Sequence, residues 1–237
     1  MHDFISIGSS LVDMFIHSDK FKVDDLDGEN RFVLQGDKVD IESFVVRIGG
    51  GGANTATGFT RLGFDAAVIS ETGKDDFANV IFRNLQKNRV DTSLIIKEKR
   101  EITGGSVILV SGNGRRTVMV HRGAASMLDS FDISPYRLTK ARWVHLSSIS
   151  GRLETLKRIF ELVKVNPELK LSWNPGSKEL ALLADGKINI EEIPCLILFL
   201  NAKEWELVRK QQKQLIKEIP QIVVTKGAEG GEVYIHG

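Results

Sequence analysis

Cysteine is almost missing from this chain: Cys195 is the single thiol in 237 residues. One thiol cannot form an internal disulfide. Its place in the apolar run 193–200 makes it a small buried hydrophobe and not a ligand or nucleophile, which fits a reducing compartment. An excess of charge of one sign is lacking too, with 32 Lys and Arg against 31 Asp and Glu. Short basic clusters occur at 97–100 and 209–213. Neither is interleaved with aromatics, so they read as solvated faces and no nucleic-acid partner is expected. No apolar stretch approaches the length of a membrane span, and His2 and Asp3 stand where a secretory signal would need a basic and then apolar start. A cytoplasmic protein without a membrane partner is the expectation. His2, His17, His121, His145 and His236 lack ligand-like spacing, which argues against a zinc site. Repeats and low-complexity tracts are absent apart from one run of glycines.

That run is the most informative feature present. Residues 48–63 read I-G-G-G-G-A-N-T-A-T-G-F-T-R-L-G. Four glycines add no core volume and lose much backbone entropy on folding, so they imply unusual dihedrals or a close approach by a ligand. A flexible linker would be followed by polar sequence. Here Ala53, Ala56, Phe59 and Leu62 continue at helical spacing and predict a helix over 53–62. Its first-turn N–H groups and the Asn54 amide would then face a polyhydroxylated small molecule.

The order of elements predicts an α/β fold, with the whole chain, 1–237, as one domain. Phe4 to Gly8 reads as a buried strand, with Asp13 in the loop beyond it. Residues 14–47 carry short β-like pieces at Arg31 to Leu34 and Ile41 to Arg47, a small antiparallel excursion. Strand 66–70, helix 76–87 and strand 93–97 follow, then a hairpin of Thr103 to Ser111 and Arg116 to His121 closed by Gly112-Asn113-Gly114-Arg115. The second half alternates strands 143–146, 169–173 and 195–200 with helices 152–165, 177–183 and 202–217. Apolar strands alternating with helices imply a mostly parallel sheet, whose ligands bind at the carboxyl ends of the strands.

Two nucleotide motifs are excluded. Gly73-Lys74 is followed by Asp75 and has Val68 five positions before Gly73, so it is not a P-loop. The glycine run lacks the third glycine of a dinucleotide fingerprint and does not follow the first strand, which argues against NAD. Asn201-x-x-Glu204 has two readings: an amide and a carboxylate ordering hydrated Mg²⁺ near phosphates, or a helix capping box. Thr225-Lys226-Gly227 is either a phosphate-binding turn or an ordinary one. Ser147, Ser148 and Ser150 fit a substrate contact or a serine-rich turn.

Taken in order, the motifs resemble those of the ribokinase or PfkB carbohydrate kinases. The resemblance runs through Gly8 with Asp13, Gly49-Gly50-Gly51-Gly52-Ala53-Asn54, Arg61-Leu62-Gly63, Gly73-Lys74-Asp75-Asp76-Phe77 and Val90-Asp91-Thr92. It continues through Thr103-Gly104, Gly114-Arg115-Arg116-Thr117, Arg122-Gly123-Ala124-Ala125, Asn174-Pro175-Gly176, Asn201-x-x-Glu204 and Thr225-Lys226-Gly227. It implies a ribokinase-like α/β/α sandwich with a mostly parallel central sheet, plus a small β-sheet lid from segments of about 14–47 and 100–122. It further implies transfer of the ATP γ-phosphoryl group to a sugar hydroxyl, with Mg²⁺ as cofactor. Asp13, Gly50, Gly51 and Asn54 would meet the sugar; Asn201, Glu204, Thr225 and Gly227 would serve the nucleotide, with Glu204 acting indirectly on Mg²⁺. Relatives of this kind often dimerise through the lid.

Two departures stand out. Many relatives carry lysine where Gly51 stands, so the sugar is left open. The family's Gly-Ala-Gly-Asp segment, source of the anion hole and catalytic aspartate, does not occur. Gly227-Ala228-Glu229-Gly230-Gly231 is a decoy at a different turn. No catalytic residue is therefore assigned within the chain. The aspartate is expected beyond Gly237, in a C-terminal portion that this chain lacks. Two alternatives follow: a nucleoside kinase, with Phe15, Phe32 or Phe44 over the base or simply in the lid core, and a non-catalytic sugar-binding or regulatory protein.

Overall fold

The computed structural model describes residues 1–26, 29–33, 38–98 and 100–236. In chain order the first half contains β1 (His2–Ile7), β2 (Leu11–Ser18), β3 (Lys22–Leu26), β4 (Glu29–Val33), β5 (Ser43–Gly49), α1 (Gly51–Arg61) and β6 (Ala66–Ile69). It goes on with β7 (Glu71–Thr72), α2 (Asp76–Lys87), β8 (Ile96–Lys97), β9 (Gly105–Ser111) and β10 (Arg116–His121). The second half holds α3 (Pro135–Leu138), β11 (Ala141–Leu146), α4 (Leu153–Lys164), β12 (Lys170–Trp173), α5 (Ser177–Ala184) and β13 (Ile197–Asn201). It closes with α6 (Ala202–Leu207), α7 (Gln212–Glu218), β14 (Gln221–Thr225) and β15 (Gly231–Ile235). Leu34, Lys99 and Gly237, each named in a sequence expectation, and the side chain of Phe32 lie outside what is described.

The central sheet has the order β15-β14-β13-β12-β11-β1-β6, parallel except where β15 runs back along β14. One face carries Val144, Leu146, Leu171, Trp173, Leu198, Leu200, Ile222 and Val224, all buried in a core completed by Leu156, Ile159 and Phe160 of α4. Each such side chain contributes about 1.5–3 kcal/mol by leaving water. On the other face α1 lies over β1 and β6.

The second sheet, β10-β9-β2-β5, pairs β2 antiparallel with β5 but parallel with β9. The expected excursion is antiparallel, β2 with β5 and β3 with β4, and the sheet becomes mixed where β9 of the later hairpin joins it. A two-residue turn cannot join parallel strands, and β2 and β9 come from segments separated by α1 and α2. A small core of Val12, Ala53, Ala56, Val68, Ile81, Leu85 and Val90 fixes this sheet to the central one. Asp75 strengthens the joint: Oδ1 accepts from Ala78 N–H as the cap of α2, and Oδ2 accepts from Thr103 N–H at 2.7 Å.

Three element expectations need correcting. The glycine helix begins at Gly51, two residues earlier than its apolar spacing suggested. Strand 93–97 shrinks to β8, which pairs with β7 outside the central sheet. The helix expected over 202–217 is two helices. At the break Gln212 Nε2 donates to the Trp205 carbonyl, occupying an acceptor of a continuous helical ladder, and Gln211 Nε2 anchors the break to the Ala184 carbonyl of α5. No helix among the described residues is long and apolar enough to cross a membrane.

Candidate functional site

Gly8, Ser9 and Ser10 carry the chain from β1 into β2, and β5 returns so that Gly49 lies opposite Leu11. Asp13 is not in a loop, as its sequence position suggested, but inside β2, between Arg47 and Ser106 on the neighbouring strands. Strand β2 starts sooner because Leu11 and Val12 are drawn into the core. The Asp13 carboxylate accepts a hydrogen bond from Ser106 Oγ and packs on the Cα side of Gly49, where a Cβ would overlap it.

Gly50 has φ 93° and ψ 144°, a conformation nearly confined to glycine, and a Cβ there would collide with the Ser9 carbonyl. A Cβ on Gly52 would lie 2.8 Å from the Gly8 carbonyl oxygen. The glycine run therefore lets two backbone segments touch. The first-turn amides of α1, expected to face a ligand, are instead largely used inside the protein. Gly51 N–H donates to Ser9 Oγ (3.3 Å), and Gly52 and Ala53 N–H donate to the Ser9 carbonyl (3.0 and 3.3 Å). Asn54 N–H donates to Gly50 O, while its side chain is exposed at the helix start. Ser9 is thus a remote cap, 42 residues from its partner Gly51.

Beside this turn, a Cβ on Gly51 would come within 2.6 Å of Ser147. Any side chain at position 51 would displace Ser147, which gives the glycine there a local reason. Ser147 begins the loop after β11, and sequence reading missed the residue that organises this loop. Glu179, fully buried on α5, accepts from Ile149 N–H and Gly151 N–H (both 2.8 Å), from Gly176 N–H (3.0 Å) and from Ser148 Oγ. One carboxylate thereby ties the loop after β11 to the loop after β12 and holds Ser150 at φ 65°. Its spacing from Gly176, like that of a capping box, was the available signal.

A third cluster sits at the ends of β13 and β14, where Asn201 and Thr225 are register partners. A cavity of about 330 Å³ is lined by His145, Asn174, Phe199, Leu200, Asn201, Glu204 and Thr225. Asn201 and Glu204 form a reciprocal capping box: Asn201 Oδ1 accepts from Glu204 N–H (2.9 Å), and Glu204 Oε2 accepts from Asn201 N–H (2.8 Å). Gly227 is further on, in a turn at φ 62°, where Lys226 pairs with Glu232. Among the described residues no group of three or more His, Cys, Asp or Glu is placed to hold a metal ion. With one carboxylate at hand, Mg²⁺ fits here only as a hydrated ion carried with phosphates, which Glu204 would meet through water.

His145 forms the floor of this cavity. Its Nδ1 lies 2.9 Å from Ser172 Oγ, which also accepts from Trp143 Nε1 at 2.9 Å. Burial lowers the His145 pKa to about 4, so the ring is neutral at physiological pH. Burial likewise raises the Cys195 thiol to about 12, in keeping with an inert hydrophobe. A further cavity of about 600 Å³, at the amino ends of β1, β11 and β12, contains none of the motif residues.

The arrangement brings a carboxylate, an amide and a tight glycine turn to one end of the parallel strands, with an open polar cavity at neighbouring strand ends. A family model described as pfkB family carbohydrate kinase matches residues 1–236. The chain belongs to the pfkB family of carbohydrate kinases. It is 25% identical over 236 residues to a deoxyribokinase of Salmonella typhi, an alignment covering 96% of this chain and 73% of that protein. Its fold matches ribokinase from Giardia lamblia with a TM-score of 0.76 at 19% identity, covering 98% of this chain and 72% of that one. It also matches adenosine kinase from Sinorhizobium meliloti with a TM-score of 0.72 at 16% identity, covering 99% and 77%. A pfkB family member thus has the ribokinase fold, with its second sheet beside the glycine turn.

Proposed function

We propose that this pfkB family chain takes part in ATP-dependent phosphorylation of a sugar, transferring the γ-phosphoryl group of ATP to a sugar hydroxyl. The observation that carries the reading is the glycine run, which sets Gly49 against the Asp13 carboxylate and leads through Gly50 and Gly51 into α1, with Asn54 exposed on its first turn. Asp13 would accept hydrogen bonds from sugar hydroxyls. The glycine turn would let a ring approach the backbone, with Asn54 completing the polar rim. The second sheet would act as a lid that excludes water. Asn201, Glu204, Thr225 and Gly227 would serve the nucleotide phosphates and hydrated Mg²⁺, which lowers the charge of the transferring group. A nucleoside fits the same turn, and the deoxyribokinase relative favours a pentose. Exposed Phe44, Val46 and Met119 on one face of the second sheet fit a homodimer contact.

The alternative, sugar binding without turnover, is separated from this reading by assay. A panel of pentoses, hexoses and nucleosides, assayed by calorimetry and by ADP release with Mg·ATP, separates the two. Binding with sugar-dependent ADP release supports the kinase; binding without it supports the second reading. Absence of binding to every member contradicts both.

A further inference from the structure

The glycines of the run answer to different needs. Gly50 is required by its backbone, at φ 93°. Gly49 has no positive φ and pairs as the last residue of β5, a conformation open to any residue. Its missing side chain therefore has another cause. A Cβ on Gly49 would lie 1.8 Å from Asp13 Oδ2, the tightest such contact among the described glycines. The obstructing atom ends a rotatable side chain and is not backbone, so an added methyl would turn Asp13 aside and leave the strand in place. A second contact holds the other oxygen: Ser106 Oγ of β9 donates to Asp13 Oδ1. Among the described residues Asp13 has no further hydrogen bond or ion pair. Arg47, its register partner in β5, turns Nη1 to the Val46 carbonyl at 3.1 Å. A carboxylate has lone pairs for about four hydrogen bonds, so most of the acceptor capacity of half-buried Asp13 is unspent.

We propose that Gly49 and Ser106 are positioning residues for Asp13: the glycine leaves the volume that the carboxylate occupies, the serine fixes Oδ1, and the orientation so held is the one that receives sugar hydroxyls. The proposal rests on the reading that Asp13 meets the sugar. It divides the glycine run by task, with Gly49 serving a side chain, Gly50 a dihedral and Gly52 the contact with Gly8. It also joins three strands at one group, since Gly49 ends β5, Asp13 lies in β2 and Ser106 in β9. A carboxylate held before the ligand arrives has less rotamer freedom to lose on binding. The Ser106 proton is spent on Asp13, so this side-chain pair presents only acceptors. It selects a group that donates, as a sugar hydroxyl does, over one that only accepts, such as an ether oxygen or a phosphate dianion.

The test is titration of the 15N-labelled chain with ribose, 2-deoxyribose and fructose, read from backbone amide shifts. Wild type is compared with Gly49→Ala, Ser106→Ala, Ser106→Thr and Asp13→Ala, and Gly49→Ala and Ser106→Ala are each also combined with Asp13→Ala. Gly49→Ala and Ser106→Ala are each expected to weaken sugar binding roughly tenfold. Ser106→Thr, which keeps the hydroxyl, recovers part of the loss. Neither alanine lowers affinity further once Asp13→Ala is present, a non-additivity that a merely structural role would not produce. A variant that binds like wild type while Asp13→Ala does not, or whose loss persists undiminished beside Asp13→Ala, removes its residue from the assignment and leaves the sugar reading standing. Both doing so overturns the proposal. If no sugar perturbs the glycine turn of wild type, or if Asp13→Ala binds as wild type does, the sugar reading fails and the proposal with it. Should Gly49→Ala not fold, Ser106→Ala against Ser106→Thr still decides.

Discussion

The glycine turn and the Asn201–Thr225 cavity both sit at the carboxyl ends of strands in one sheet, yet they are built on different principles. At the turn, backbone meets backbone: Gly50 and Gly52 leave no room for a Cβ, Ser9 consumes the first amides of α1, and Asp13 is braced by Ser106. The geometry is fixed before any ligand arrives, and the free chemistry is reduced to a carboxylate and an amide. At the cavity, Asn201 and Glu204 satisfy each other, and the space between them and His145 is open. A rigid end suits recognition of a neutral polyol whose hydroxyl pattern must be read. An open end suits a flexible, charged group that brings its own metal ion.

The sharpest way to break this contrast is Glu179→Ala. Removing the carboxylate leaves the amides of Ile149, Gly151 and Gly176 without their acceptor and releases the loop that presses Ser147 on the turn. Denaturant unfolding should record a loss of about 3–5 kcal/mol. Gly50→Ala comes next, at about 2–3 kcal/mol, because it combines a glycine-only dihedral with a collision at Ser9. Calorimetry should also show sugar binding lost in that variant.

Glu71, in β7 just past the end of β6, supplies a control that belongs to neither site. Burial, then Asp132, Glu98 and Asp129, raise its pKa to about 8 against the opposing effect of Arg152. The unfolded chain releases this proton near 4.5 while the fold retains it up to about 8, so stability is complete below 4.5 and falls as pH rises through that window. The slope for one proton approaches about 1.4 kcal/mol per pH unit. Unfolding curves of Glu71→Gln should lose this component of the slope without a change in sugar binding. The smallest effect belongs to the open end: Asn201→Ala removes a helix cap and should cost about 1 kcal/mol, with a weaker nucleotide contact and unchanged sugar affinity.

Local signals were legible in the sequence, and contacts between distant segments were not. Helix 76–87 and the hairpin around Gly112 to Arg115 follow from periodicity and turn chemistry and are found at those positions. The α/β alternation yields the mostly parallel sheet. Ser9 capping α1 across 42 residues, Glu179 reaching Ser148 across 31, and the Trp143–Ser172–His145 chain across 29 and 27 have no short-range signature. Each is a polar group satisfied by a remote partner, which only the folded arrangement of strand ends brings within reach. The same limit explains Asp13: its neighbours Arg47 and Ser106 were needed to see that it stands in a strand.

The most direct measurement is a titration of the labelled chain with ribose, 2-deoxyribose, fructose and adenosine, comparing wild type with Asp13→Asn by backbone amide spectra. The account predicts that at least one of these perturbs Gly50, Asn54 and Ser106 in saturable fashion, and that Asp13→Asn weakens the response roughly tenfold or more while the remaining spectrum is preserved. Saturable binding that leaves the glycine turn unperturbed, or that is indifferent to Asp13→Asn, would contradict it.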